Sequence, residues 1–124
     1  DYAADASRNP VVDRAAFLRL RAAAYKAYFE HLPVSPRMAP RGPSMRIHAH
    51  HGWGRLADLW TLDNRQYRSL QPCNEPGRAG GSVVTYCRLD DDEATMFGAE
   101  QEAWIAGELA ASPTAWRLLA QSTQ

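Results

Sequence analysis

Asp63, Arg65, Tyr67 and Arg68 are the side chains best placed for chemistry, because they follow directly on an apolar run. Leu59-Trp60-Thr61-Leu62 leads into Asp63-Asn64-Arg65-Gln66-Tyr67-Arg68, so an acid, amides, two arginines and a phenol follow a segment fit for burial. A central strand covered on both faces of its sheet, delivering side chains at its carboxyl end, has this form. If the extended period of two persists, Asp63, Arg65 and Tyr67 share one side, and Asn64, Gln66 and Arg68 the other. The same residues also fit without a site, if Asp63 and Arg65 pair with each other or Asp63 caps a turn.

Other candidates are weaker. His48 and His50 stand two apart, a geometry metals use, but two histidines are too few and no neighbouring Cys or carboxylate completes the set. His51 adds less. Cys73 and Cys87 lack the CxxC spacing of a zinc site, and no local base or cation would activate either as a nucleophile. In an exported protein they would join, closing a loop of about fifteen residues for roughly 3 kcal/mol in the chain-entropy model. The alternative is two buried free thiols, which the polar loop between them disfavours. Asp90-Asp91-Asp92-Glu93 lacks the spacing of a calcium loop and reads as a solvated loop.

The elements that must position these groups are legible in outline. Residues 1–10 have no firm period. Asp13 can cap a helix whose apolar positions Phe17, Leu20, Ala24, Ala27 and Tyr28 step by three and four, with Arg14, Arg19, Arg21 and Lys26 mostly on the other side. Pro33 stops it near His31. Residues 34–44, with Pro36, Pro40, Gly42 and Pro43, form a connector. Met45-Arg46-Ile47-His48-Ala49-His50 alternates as a half-buried strand. Gly52-Trp53-Gly54-Arg55 supplies a bend, and residues 56–62 pair back antiparallel. Gly98 and Gln101 open a second helix, with Glu100 and Glu102 at its positive end. Its inward face is Gln101, Trp104, Ile105 and Leu109, and Ser112-Pro113 ends it.

The chain has 124 residues and is 45% hydrophobic, enough for a buried core and against disorder. No run approaches the roughly 18 apolar residues of a membrane span, and no signal peptide opens the chain. Residues 1–55 carry a net charge of +5 and residues 56–124 one of −5, so the zero total hides an asymmetry. The positive half suits a phosphorylated ligand or an acidic segment, or is solvated helix surface. No basic patch interleaved with aromatics marks a nucleic-acid face.

Three stretches carry a resemblance. Asp63-Asn64-Arg65-Gln66-Tyr67-Arg68 with Gln71-Pro72-Cys73 resembles the D-x-R-Q-Y-R…Q-P-C signature of the PhoD-like alkaline phosphatases and phosphodiesterases, with Asn64 where Thr is commoner. Residues 21–33, RAAAYKAYFEHLP, are similar to that family's R-x-x-A-Y-x-A-Y-x-E-H-x-P helix end. Residues 96–104, MFGAEQEAW, resemble its M-L-G-x-E-Q-x-x-W helix start.

The resemblance implies an α+β chain, part of an αββα metallophosphatase sandwich with two main helices and about three strands here. It suggests a third strand over residues 116–121. The implied activity is metal-dependent hydrolysis of phosphate mono- or diesters, using iron and calcium ions. The family's metal and nucleophile motifs, D-H-E, G-D-x-x-Y and G-D-x-H, do not occur in the chain, so no catalytic residue or metal ligand carries over. Arg65 and Arg68 are expected near the phosphate, where guanidinium forks suit anionic oxygens, with Asp63 and Tyr67 supporting them. Exported family members add weight to a Cys73–Cys87 disulfide closing the loop over residues 72–95.

The Asp1-Tyr2-Ala3 start follows where the family has its D-H-E-V-x-N motif. The expectation is therefore an internal fragment, residues 1–124 being the central portion of the domain, inactive alone and completed by other portions of the same protein. The alternatives are a nicked chain still bound to those portions, or an exported α+β binding module whose arginine-rich half recognises an anionic ligand without catalysis.

Overall fold

The computed structural model describes residues 2–3, 6–7, 13–69 and 94–122. Cys73, Cys87, the Asp90-Asp91-Asp92-Glu93 cluster and nearly all of the loop over residues 72–95 lie outside them. The leading stretch, read as irregular, contains a short antiparallel pair, β1 (Tyr2–Ala3) and β2 (Ala6–Ser7).

Helix α1 spans Arg14–His31, capped at the start by Asp13, whose carboxylate accepts from the Ala16 N–H at 2.7 Å. It ends at Leu32, extended as the residue before a proline must be. Its inward stripe differs from the expected one. Phe17, Arg21 and Tyr25, each four apart, are buried, whereas Leu20 is 66% exposed and Ala24, Ala27 and Tyr28 also face outward. Turning the helix this way covers two aromatic rings and the stem of Arg21, whose guanidinium carbon lies 5.6 Å from the Phe17 ring centre. The connector holds one 3-10 turn, Pro36–Met38, capped by Ser35.

Three strands form the main sheet in the order β3 (Ala49–Trp53), β4 (Ala57–Thr61), β5 (Trp116–Ala120). β3 and β4 are an antiparallel hairpin running from Ala49 opposite Thr61 to Trp53 opposite Ala57. The strand expected over residues 45–50 is thus shifted toward its carboxyl end, and Gly52 and Trp53 belong to it. The bend falls at residues 54–56. Pairing register fixes this. Gly52 stands opposite Asp58, and a side chain there would come 3.3 Å from the Asp58 carboxylate. Met45, 1% exposed, packs inside from irregular chain.

β5 lies parallel to β4, Ala57 opposite Trp116 and Thr61 opposite Ala120. A parallel neighbour requires a crossover, and helix α2 (Ala99–Ala111) lies within it. Among the described residues the result is an α+β arrangement of two helices and a mixed three-stranded sheet with β4 at its centre. One face of β4 is covered: Asp58 is buried and Trp60 is 0% exposed, whereas Ala57, Leu59 and Thr61 are only half-buried. β5 is exposed along its length, Trp116 by 64%. The expectation of cover on both faces is met on one face among the described residues.

α2 lies on that covered face and runs against the direction of β4. Its Gln101 meets Asp63 past the end of the strand, Glu108 meets Trp60, and Ser112 meets Asp58 near the strand's start. Gln101 is buried, and Trp104, Ile105 and Leu109 are half-buried, so the expected face turns inward.

Candidate functional site

The extended period does not continue past Leu62. Asp63 Oδ1 accepts from the backbone N–H of Arg65 at 2.9 Å and of Gln66 at 3.0 Å, so Asp63 caps a turn. An aspartate makes this bond more readily than it holds a strand, because its short carboxylate reaches peptide groups two and three residues on. Asp63, Asn64 and Gln66 are buried, Arg65 and Arg68 half-buried, and Tyr67 is 38% exposed, its ring partly covered by His48. Asp63 and Arg65 therefore do not share a strand face, and the carboxylate grips the Arg65 peptide.

Two glutamines secure the turn. The Gln101 carboxamide accepts from the Asp63 N–H and donates to the Asp63 carbonyl, both at 2.8 Å, and donates to the Phe97 carbonyl at 2.9 Å. The Gln66 carboxamide treats Met45 alike, donating to its carbonyl at 2.6 Å and accepting from its N–H at 3.5 Å. The same Nε2 of Gln66 donates to Asp63 Oδ2. Asn64, standing where the resembled signature more often has Thr, is fully buried and accepts from the Ser122 hydroxyl at 2.6 Å, tying the turn to the end of β5. Close approach matters beside it. Gly98, with φ of +76°, lies so near Tyr67 that a Cβ would come 2.9 Å from the Tyr67 Cβ.

Behind Tyr67 is a cavity of about 230 Å³ lined by His48, Tyr67, Phe97 and the first turn of α2. His48 meets Tyr67 edge-on at 5.7 Å and Trp104 at 4.9 Å, and the Arg46 guanidinium lies 5.7 Å from the Trp104 ring centre. Burial, with the nearby Arg46 charge, pushes the His48 imidazole below its usual value. Burial, with the Asp63 and Glu100 carboxylates, pushes the Tyr67 phenol above its own. Both rings are thus held in their neutral forms. Arg65 and Arg68 do not line this cavity.

At the other end of α2 stands a cluster that the linear sequence did not reveal. His50 Nε2 lies 2.8 Å from Asp58 Oδ1 and its Nδ1 3.2 Å from Glu108 Oε2, while its ring stacks on Trp60 at 5.0 Å. Asp58 Oδ2 accepts from Ser112 at 2.6 Å and from Thr114 at 3.1 Å. These bonds, Ser112 first and His50 next, hold the Asp58 carboxyl below its ordinary value. The order of contacts is Ser–Asp–His, with the carboxylate in the middle. A nucleophile-activating set needs the imidazole there, so this is a structural network.

His48 and His50 do project toward the same helix, one turn apart at Trp104 and Glu108, but only His50 has both ring nitrogens engaged; His48 is held by ring contacts, and its buried Nδ1 has no hydrogen-bond partner among the described residues. The carboxylates missing near them in sequence are supplied by folding. They bind different nitrogens of His50 and do not converge, and among the described residues no group of three or more His, Cys, Asp or Glu could hold a metal ion. Asp63 is equally unsuited, its two oxygens taken by peptide N–H groups and Gln66. The donors described here do not fit a metal centre.

A mixed sheet whose central strand ends in an arginine-bearing turn, clamped by a crossover helix, defines an α+β unit with cationic groups at the carboxyl edge of the sheet. The chain belongs to the PhoD-like phosphatase family, whose model it matches over residues 1–124. It is 39% identical over 106 residues to alkaline phosphatase D of Bacillus subtilis (strain 168), a match covering 86% of this chain and 17% of that protein. A solved structure titled as that of PhoD matches with a TM-score of 0.76 at 34% identity, covering 97% of this chain and 22% of that one. The chain therefore spans less than a quarter of the length of either relative.

Proposed function

We propose that the protein containing this chain hydrolyses phosphate mono- or diesters, and that the chain contributes Arg65 and Arg68 to the phosphoryl oxygens, backed by Asp63 and Tyr67. The observation that carries this is the family match over all 124 residues together with the clamped, arginine-bearing turn at the end of the central strand. Guanidinium groups give charge-assisted, forked hydrogen bonds to phosphate that lysine cannot reproduce. Iron and calcium ions, implied by the family resemblance, would be held by residues other than those described, among which no group of three or more His, Cys, Asp or Glu could hold a metal ion. Export and the Cys73–Cys87 disulfide belong to the same reading and rest on the resemblance.

The test uses the full-length protein with p-nitrophenyl phosphate and its bis ester. Arg65→Ala and Arg68→Ala should each lower kcat/KM about 10- to 100-fold, the loss of a charged hydrogen bond. Unaltered turnover of both esters in both variants would overturn the arginine assignment. The 124-residue chain alone should show no metal-dependent turnover, and finding it would refute the placement of the catalytic groups elsewhere.

A further inference from the structure

We propose that Gln101 and Gln66 are positioning residues for the phosphate-facing arginines, acting through the peptide backbone of the turn at residues 63–68. The inference rests on the reading that Arg65 and Arg68 contact the ester. A carboxamide presents one acceptor and one donor side by side, so it can pair with the N–H and the C=O of a single residue as a neighbouring strand would. Gln101 does this to Asp63, and Gln66 does it to Met45. A carboxylate or an ammonium could make only half of each pair.

The second reason is electrostatic. A turn that presents arginines to an anion must not place an unsatisfied carboxylate beside them, since that charge would compete with the substrate for the guanidinium groups. Here the clamps are uncharged amides, and the one carboxylate in the turn is spent on the N–H groups of Arg65 and Gln66 and on the Gln66 amide. Asp63 is buried while Arg65 and Arg68 stay half-buried. The backbone of residues 63, 65 and 66 is thereby held by Gln101 of α2 and by the Asp63 carboxylate, and the Gln66 side chain ties that carboxylate to Met45 in the chain before β3. Gln101 reaches the turn from an element separated by 38 residues, so it adds long-range rigidity that local turn chemistry lacks.

The experiment is a set of double-mutant cycles in the full-length protein, read by kcat and KM for p-nitrophenyl phosphate. Gln101→Leu removes both bonds to Asp63, Gln66→Leu removes both bonds to Met45 and the bond to the Asp63 carboxylate, and Gln101→Glu is isosteric but loses the donor. Each should lower kcat/KM by about 10- to 100-fold, the usual effect of a residue that orients a binding group. The split between kcat and KM should copy that of Arg65→Ala or Arg68→Ala. In the doubly substituted arginine background, Gln101→Leu should cost less than threefold. Asp13→Ala, which removes the α1 cap, should leave kcat/KM unchanged and so control for loss of stability.

If Gln101→Leu lowers activity equally with and without the arginines, the inference falls and the arginine reading stands. If neither glutamine substitution changes kcat/KM while the arginine variants do, it falls in the same way. If the arginine variants themselves are fully active, both fall together.

Discussion

The two ends of the α2–β4 seam are built from different chemistry. Near the start of α2, Gln101 and Gln66 hold backbone groups with neutral amides, and the neighbouring His48 and Tyr67 are kept uncharged by burial. Near its end, the Asp58 and Glu108 carboxylates close on the two ring nitrogens of His50, an ionic set whenever the imidazole is protonated, with Ser112 and Thr114 completing the Asp58 carboxylate. The neutral end adjoins the arginine turn and the ionic end is remote from it along the strand. Beside the arginines the fixing groups are amides and one carboxylate, Asp63, whose oxygens are already taken, whereas the remote end sets carboxylates against an imidazole.

The largest effect should come from Trp60→Ala. Trp60 is fully buried, stacks on His50 and donates to Glu108 at 3.3 Å, so its loss removes core packing and the floor of the ionic cluster. About 3–5 kcal/mol of stability should go, read by chemical denaturation. A loss below 1 kcal/mol would mean that the ionic end stands on its own. Next comes Gln101→Leu, which leaves the Asp63 N–H and C=O buried and unpaired, at about 1–3 kcal/mol. That loss should be the same at pH 5 and pH 8, because the bonds removed join a carboxamide to peptide groups, and neither is titratable. A strong pH dependence would show that the clamp is not neutral.

The pH profile of stability separates the ends further. Asp58 has a lowered carboxyl, so its contribution is complete above the unfolded value, near 3.8, and is lost as pH falls through the lower folded value. His48 is also lowered. Its unfolded form gains a proton first as pH drops below about 6.5, so stability declines from there toward the folded value. Tyr67 is raised, so its contribution holds up to about pH 10 and is lost as pH climbs toward the folded value. The neutral end should therefore be most stable between about pH 6.5 and 10. Thermal melts of His48→Gln and Tyr67→Phe should lose the acid and alkaline shoulders respectively. Shoulders unchanged in both variants would break the assignment.

Much of this was legible from residue patterns because local rules decided it. Asp13 as a cap, Pro33 as a stop, β4 as the central strand and α2 ending at Ser112 all depend on the chain within a few residues. The turn at residues 63–68 was half-legible. Its residue types pointed to anion chemistry and Asp63 could cap a turn locally, but the Gln101 pairing that secures that turn comes from far along the chain. The buried stripe of α1 was misread because arginine counts as polar in any periodicity, whereas the Arg21 stem and its contact with Phe17 suit the inside. The ionic cluster was hidden for a topological reason: His50, Asp58, Glu108 and Ser112 converge only once β3, β4 and α2 are assembled. A glutamine on the inward face of α2 was the available signal for the neutral clamp, since a buried amide must find a partner.

The smallest expected effect isolates the charge at the ionic end. Glu108→Gln keeps an acceptor for the Trp60 N–H and removes only the charge facing His50. Both side chains are about one-third exposed, so water and salt screen the pair, and with the imidazole protonated its loss should cost about 0.5 kcal/mol at low salt. The cost should shrink toward zero at about 1 M salt, where the screening length is near 3 Å. Gln101→Leu measured beside it should show no salt dependence, because its bonds join an amide to a peptide. A salt-independent loss at Glu108, or a salt-dependent one at Gln101, would erase the contrast between the two ends. Paired denaturation curves at the two salt concentrations decide it, and kcat/KM for Glu108→Gln in the full-length protein should stay unchanged, as the ionic end takes no part in holding the arginines.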